Sequence, residues 1–247
     1  MAPVHEAAAV GFARSAAAYD RARPEYPPAA IEWLAARLGL RPGRAVLDLA
    51  AGTGKLTRPL AATGADVVAV EPVAEMRRRI GPASVLVLDG TAEAIPLDDA
   101  SVDAVTVGQA FHWFDGPVAL AEIHRVLRPG GALALVWNSR PLDDPLHAAI
   151  EALVAPHRRG APTHRSGAWR AAFEATTLFG PLEERTFDHV VRHDADALVD
   201  RVRSTSVVGA LDDGAQAELL AAVRALAADG PVDLRYVCEV FVCERRP

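Results

Sequence analysis

Lysine is almost absent from this chain: of 26 basic residues only Lys55 is not arginine. The matching excess of arginine and alanine reads as a compositional habit and carries no function by itself. Cysteine is scarce too, with only Cys238 and Cys243. Both fall in one predicted strand at an odd separation, so they face opposite ways and cannot pair. Unpaired thiols predict a reducing, cytoplasmic setting. No stretch reaches the roughly 20 apolar residues that would span a bilayer. The amino end lacks a basic segment followed by a long apolar core, which argues against a secretory signal. Positive charge is in deficit, with 32 acidic residues, a net charge of −6 and a pI near 5.8. That balance excludes the electrostatic footprint of a nucleic-acid or anionic-membrane binder. The densest basic run, Arg77-Arg78-Arg79, sits on a short predicted helix as a solvated face. His157 and His164 lack clustered Cys, Asp or further His at metal-ligand spacing, so no metal is expected. There is no internal repeat and no low-complexity linker.

What remains is an ordinary globular composition, 51% hydrophobic and 23% charged over 247 residues, enough for one large domain. It is organised around Val46-Leu47-Asp48-Leu49-Ala50-Ala51-Gly52-Thr53-Gly54-Lys55-Leu56-Thr57. The first half is β-competent and follows the breaker Arg41-Pro42-Gly43. The second half resumes as a short helix, with Leu56 and Leu60 four apart and Gly64 as its stop. A glycine turn between strand and helix is where ligands bind in open α/β sheets, because bare backbone and helix N–H groups face outward. On Gly52 and Gly54 alone an ordinary tight turn fits as well.

Two acids shift the balance. Glu71 ends the run Asp66-Val67-Val68-Ala69-Val70, nineteen positions after Gly52. A carboxylate at that spacing and at a strand end is placed to hold a ribose diol. A nicotinamide dinucleotide fits poorly. Thr57 stands where the third glycine of the G-x-G-x-x-G fingerprint belongs, and Asp48 would bring negative charge towards a pyrophosphate. A ligand with a ribose, no phosphate and positive charge near Asp48 fits better, and S-adenosylmethionine has that character.

A third predicted strand, Ser84-Val85-Leu86-Val87-Leu88, again ends in an acid, Asp89, before Gly90-Thr91-Ala92-Glu93. Asp98 to Val105 and then Leu127-Arg128-Pro129-Gly130-Gly131 follow. In kind, order and spacing, residues from about Arg44 to Asn138 resemble the class I S-adenosylmethionine-dependent methyltransferases. One departure is Ala50, where that family's loop usually begins with glycine, and a modest narrowing is expected. The resemblance implies an α/β fold: a Rossmann-like, doubly wound, seven-stranded sheet with an antiparallel last strand. It also implies a cofactor site of Asp48, Ala50, Gly52, Gly54, Glu71, Pro72, Asp89, Gly90 and Thr91.

Residues 1–40 form an amino-terminal arm and a first helix, with Ile31, Leu34, Ala35 and Leu38 on one face between Pro28 and Gly39. The proline-rich part, Tyr19 to Pro28, resembles a segment of small-molecule methyltransferases that include trans-aconitate methyltransferases, where it lies over the cofactor. On that resemblance Tyr19 and Arg23 close the cofactor site; a surface arm with solvated arginines is the competing reading. After the fourth strand, Val102 to Val107, comes Gly108-Gln109-Ala110-Phe111-His112-Trp113-Phe114-Asp115. The resemblance places Gln109 beside the methionine part of the cofactor and His112 near the transferred methyl. A packed, hydrogen-bonded histidine competes with a catalytic one there. Asp115 is expected to cap a helix whose Leu120, Ile123 and Leu127 face the sheet.

The core spans residues 41–140, its fifth strand running from Ala132 to Trp137 with Asn138 at the crevice edge. Residues 141–247 add substrate-cap helices and the last two strands, Thr186 to Val191 and Leu234 to Cys243. The helices flanking the sixth strand are expected to hold specificity, and Trp113, Asn138, Trp169 and Arg203 are the candidate substrate contacts. Methyl transfer chiefly needs acceptor, methyl and sulfur held in line. His112 is the one plausible base. The chain lacks an Asn-Pro-Pro-Tyr type loop and has no cysteine near the crevice, so amide, adenine and cytosine-C5 methylation are disfavoured. A small organic acceptor is expected, with O-methylation of a carboxylate or hydroxyl favoured over N- or C-methylation. The alternative is a protein of this fold that binds the cofactor and catalyses a reaction other than methyl transfer, or only binds.

Overall fold

The computed structural model describes residues 22–158 and 163–247. Seven strands form one sheet in the order β3-β2-β1-β4-β5-β7-β6. They are β1 (Ala45–Leu49), β2 (Asp66–Val70), β3 (Leu86–Leu88), β4 (Val102–Gly108), β5 (Leu127–Ser139), β6 (Glu183–His193) and β7 (Val232–Glu244). The first five run parallel, and β7 is antiparallel to both β5 and β6. The helices are α1 (Pro28–Leu38), α2 (Thr57–Ala62), α3 (Ala74–Arg77), α4 (Gly116–Val126), α5 (Pro145–Val154), α6 (Ala171–Ala175), α7 (Ala195–Arg203), α8 (Ser206–Gly209) and α9 (Asp213–Ala225). None of them is long and apolar enough to cross a membrane.

Strand alternation divides the core between two faces. Leu133, Leu135 and Trp137 of β5 pack with Leu120, Ile123 and Val126 of α4 on one side. Ala132, Ala134 and Val136 meet Ala30, Leu34 and Leu38 of α1 on the other. Residues Val102–Val107 of β4 and Ala132–Trp137 of β5 are buried on both faces, the mark of a parallel sheet covered on each side. Cys243 lies in the first cluster and Cys238 in the second, both free. Their five-residue separation therefore does put them on opposite faces. A third cluster seats α5, α7 and α9 on Leu234 and Tyr236, so the cap rests on the start of β7.

Side-chain caps start two of the helices: Asp115, where the sequence predicts it, accepts from Val118 N, and Asp144 accepts from Leu146 N and His147 N. Several bounds change, and β5, β6 and β7 each extend beyond the expected Ala132–Trp137, Thr186–Val191 and Leu234–Cys243. The third strand is three residues, not five, because Ser84 and Val85 stand outside the ladder that begins at the Val68–Leu86 register. Leu127 belongs to β5 rather than to α4, whose last residue is Val126.

Candidate active site

The carboxyl ends of β1, β2, β4 and β5 converge on one crevice. The turn after β1 carries three residues in the left-handed region, Ala50 (φ 55°), Gly52 (φ 59°) and Gly54 (φ 84°). Ala50 thus occupies a conformation that favours glycine, which strains an L-residue by about 1–2 kcal/mol. The consequence of the departure is backbone strain at the loop's first position. Gln109, at the end of β4, is strained in the same way (φ 62°) and donates from Nε2 to the Asn138 carbonyl at 3.5 Å.

The two acids are deeper than the sequence implies. Asp48 is fully buried, accepting from Thr57 Oγ1 at 2.5 Å and from Thr106 Oγ1 at 3.4 Å. Thr57, the departure from the dinucleotide fingerprint, is therefore the partner that holds Asp48. Burial raises the Asp48 carboxyl to about 7 despite those hydrogen bonds, and nearby Glu71 adds to the rise. Between the ordinary aspartate value and that one, the folded protein holds a proton that the unfolded chain has released. Stability from this group is full below about pH 4 and is lost as pH rises through about 7. Asp48→Asn is accordingly expected to stabilise the fold at about pH 8 by roughly 2–4 kcal/mol, with no gain at about pH 4. Urea midpoints at the two pH values check this; a gap independent of pH would show that Asp48 does not titrate.

Glu71, 4% exposed, accepts from Gly52 N at 2.9 Å through Oε2 and from Val73 N at 2.8 Å through Oε1. Burial raises its pKa, against the opposing effect of these two bonds. It braces the glycine loop from beneath. Each oxygen keeps a second lone pair, so a ribose hydroxyl is still accommodated. Asp89 pairs with Arg77 through two bonds, at 2.9 and 3.1 Å, and its side chain is 71% exposed. The same Arg77 accounts for Pro72, whose carbonyl it reaches at 2.9 Å. The crevice is polar and incompletely satisfied: Thr53 Oγ1, Thr91 Oγ1 and Asn138 Oδ1 are buried without a partner among the described residues. Thr91 follows Gly90 directly after β3. Unmatched buried acceptors and hydroxyls around a strained loop fit a polar ligand carrying hydroxyl and ammonium groups.

Tyr19 lies outside the described residues. The following part of the arm is held by the protein itself. Asn138 Nδ2 donates to the carbonyls of Pro24 and Glu25 at 3.4 and 3.2 Å, and Lys55, the sole lysine, pairs with Glu25 at 2.6 Å. Arg23 donates to Ser204 Oγ and O, on the cap. Gly108 permits the approach of Tyr26, since a Cβ there would lie 2.7 Å from the phenol oxygen. Residues 23 to 26 thus lie over the crevice and need no ligand to hold them there.

Beyond the arm opens a cavity of about 780 Å³, lined by Gln109, His112, Trp113, Asn138 and Trp169 among others. Trp137 forms its floor, stacked on His164 at 4.1 Å and packed on Trp169 at 4.8 Å. Trp137 Nε1 donates to His112 Nδ1 at 3.4 Å. With Nδ1 accepting, the neutral ring carries its proton on Nε2 and presents a donor rather than a base. Burial, then His164 and Arg23, depress the His112 pKa to about 3, so it stays neutral at physiological pH. A titration near the ordinary histidine value is not expected from it.

Arg203 is misplaced by the sequence reading. It pairs with Asp200 at 2.9 Å and does not line the cavity. Two positions earlier, Arg201 is 3% exposed and does line it. Residues two apart on α7 are about 200° apart, so only one of the two can face inward. Arg140, at the end of β5, also lines the cavity and was not singled out. The only signal for it was its place directly after Asn138 and Ser139. His164 was weighed only as a metal ligand, yet it stands beside His112, held by Glu239 at 2.9 Å. Among the described residues no group of three or more His, Cys, Asp and Glu could hold a metal.

Residues 47–135 match the methyltransferase domain family. An uncharacterized methyltransferase of Mycobacterium tuberculosis is 55% identical over 134 residues, 53% of each chain. A demethylmenaquinone methyltransferase of Parafrankia sp. is 38% identical over 135 residues, 45% of this chain and 53% of that one. The chain thus spans about half the length of the curated relatives it matches. Among solved structures, a candidate type II methyltransferase of Anaeromyxobacter dehalogenans superposes with a TM-score of 0.68 at 28% identity, over 91% of this chain and 97% of that one. The glycine loop and the strand-end acids fall inside residues 47–135, the segment of this chain that matches the methyltransferase domain.

Proposed function

We propose that the protein transfers a methyl group from S-adenosylmethionine to a small organic molecule, with oxygen of a carboxylate or hydroxyl the favoured acceptor atom. The observation that carries this reading is the continuity of the crevice with the cavity. Gln109, His112 and Asn138 stand at the strand ends beside the loop that Glu71 braces, and they also line the 780 Å³ space. That volume is of small-molecule size, and Arg23 of the arm lines it. The demethylmenaquinone relatives support a small-molecule acceptor.

The loop from Ala50 to Gly54, Glu71 and Thr91 would hold the nucleoside, and Gln109 with Asn138 Oδ1 the amino-acid end. Bound there, S-adenosylmethionine supplies a methyl group whose carbon–sulfur bond breaks as an acceptor lone pair takes the carbon, its electrons staying on sulfur. The protein's own part is alignment and exclusion of water. His112, donating from Nε2, orients the acceptor, while Trp113, Trp137 and Trp169 wall the space.

The test uses methyl-labelled cofactor with a metabolite extract, alongside calorimetry with S-adenosylhomocysteine. A labelled small product is expected, and His112→Gln should lose turnover by about 10- to 100-fold while keeping cofactor affinity. Between about pH 5 and 9 the rate should show no step from His112, which is neutral throughout. Cofactor binding without any labelled product would instead support a non-transferring binder.

A further inference from the structure

The cavity is strongly cationic, and its carboxylates are already committed. Two acids line it. Glu151 is taken by Arg158 at 2.6 Å, with Arg165 at 3.7 Å, and Glu239 by His164 and Ser139. Arg170 is also spent, paired with Glu184 and lying over Trp169 and Phe241. Arg23 is engaged by Ser204, which leaves Arg140 and Arg201. The Arg140 guanidinium, half-buried in the wall, makes no hydrogen bond or ion pair with any described residue. Arg201 is 3% exposed; its Nε donates to Tyr236 Oη at 3.1 Å, and its Nη1 has no partner among the described residues.

Two guanidinium groups close enough to repel, one buried and one half-buried, with the nearby Glu151 carboxylate already taken by Arg158, are costly to the fold. Burial, then Arg201 and Arg23, lower the Arg140 pKa to about 9, which leaves it charged at neutral pH. Such an arrangement is compensated when an anion enters. A guanidinium fork matches the paired oxygens of a carboxylate or phosphate, and two forks on separate elements, β5 and α7, fix its orientation.

We propose that the methyl acceptor carries an anionic group, carboxylate or phosphate, seated on Arg140 and Arg201, with the atom to be methylated at the His112 end of the same cavity. This rests on the methyl-transfer reading above. The anion is the anchor: its lone pairs, engaged by two arginines, are poor nucleophiles, so the methylated atom belongs to another group of the same molecule.

The test is binding of three probes, inorganic phosphate, succinate and uncharged dimethyl succinate, to the full chain loaded with S-adenosylhomocysteine. Phosphate or succinate should bind and dimethyl succinate should not; which of the two binds tells phosphate from carboxylate. Arg140→Gln and Arg201→Gln should each weaken the binding by at least about tenfold, the loss of a charge-assisted pair, whereas Arg192→Gln, on an exposed strand edge, should not. If Arg201→Gln does not fold, Arg140→Gln carries the test. Equal binding of the diester, no binding of either anion, or unaltered binding by Arg140→Gln overturns the proposal. S-adenosylhomocysteine affinity is measured on the same samples. Its absence beside intact anion binding would sink the methyl-transfer reading, and its retention beside lost anion binding sinks only the anchor.

Discussion

Glu71→Ala is expected to weaken S-adenosylhomocysteine binding by about 1.5–3 kcal/mol, and to lower the stability of the unliganded protein as well. The second effect follows from the geometry. Both carboxylate oxygens accept backbone N–H groups, one from the glycine loop at Gly52 and one from Val73, at a site that is 4% exposed. Truncation leaves two buried donors unmatched, at about 1–3 kcal/mol each. Glu71→Gln separates bracing from ribose contact. Its amide retains one acceptor and points an N–H at the other donor, so it should destabilise the loop by about half as much as alanine. Urea denaturation and calorimetry on the three proteins decide the matter. Alanine and wild type with equal cofactor affinity would remove Glu71 from the site, and equal stability would remove its bracing role.

Trp137→Ala should cost about 3–5 kcal/mol of folding stability, the range for emptying a large aromatic site in a packed core. Trp137 is 1% exposed and touches His164, Trp169 and Phe241, so the hole would open in the cavity floor. Trp137→Phe fills most of that volume but lacks the indole N–H. It should be milder in stability, yet it releases His112 Nδ1 from its donor. The His112 proton is then no longer confined to Nε2, and the imidazole nitrogen shifts in an NMR spectrum should move towards a tautomer mixture. A destabilisation below about 1 kcal/mol in the alanine protein would contradict the packing account. Unmoved imidazole shifts in the phenylalanine protein would contradict the tautomer assignment.

Whatever depended on residues near one another in the chain was legible before any coordinates. The glycine turn, the capping aspartate at 115, the apolar face of α1 and the opposed cysteines follow from periods of 2 and 3.6 and from backbone preferences. Where the reading failed, the deciding contact was remote or a matter of phase. Asp48 was taken as facing a cationic ligand, whereas Thr57 and Thr106 close over it, the latter from a neighbouring strand 58 residues away. Asp89, expected in the cofactor site, has both its oxygens held by Arg77 from α3. Arg203 was chosen over Arg201 because sequence gives the helix but not which side of it the cap buries.

The sequence by itself determined that this chain builds a parallel α/β core with a ligand crevice, because a strand, a glycine turn and strand-end acids are each encoded within about ten residues. It determined the order in which those pieces come. Only the tertiary structure decided what the crevice is made of. Asn138 meets Pro24 across 114 residues, Arg23 meets Ser204 across 181, and Ser139 meets Glu239 across 100. Those pairings exist because β5 lies between β4 and β7 and the cap helices sit on the start of β7. Strand neighbours and helix phase are set by the packing of all the apolar faces at once. A side chain's local surroundings carry no record of them, so the unpaired charges of Arg140 and Arg201 become visible only when the fold brings them to one cavity.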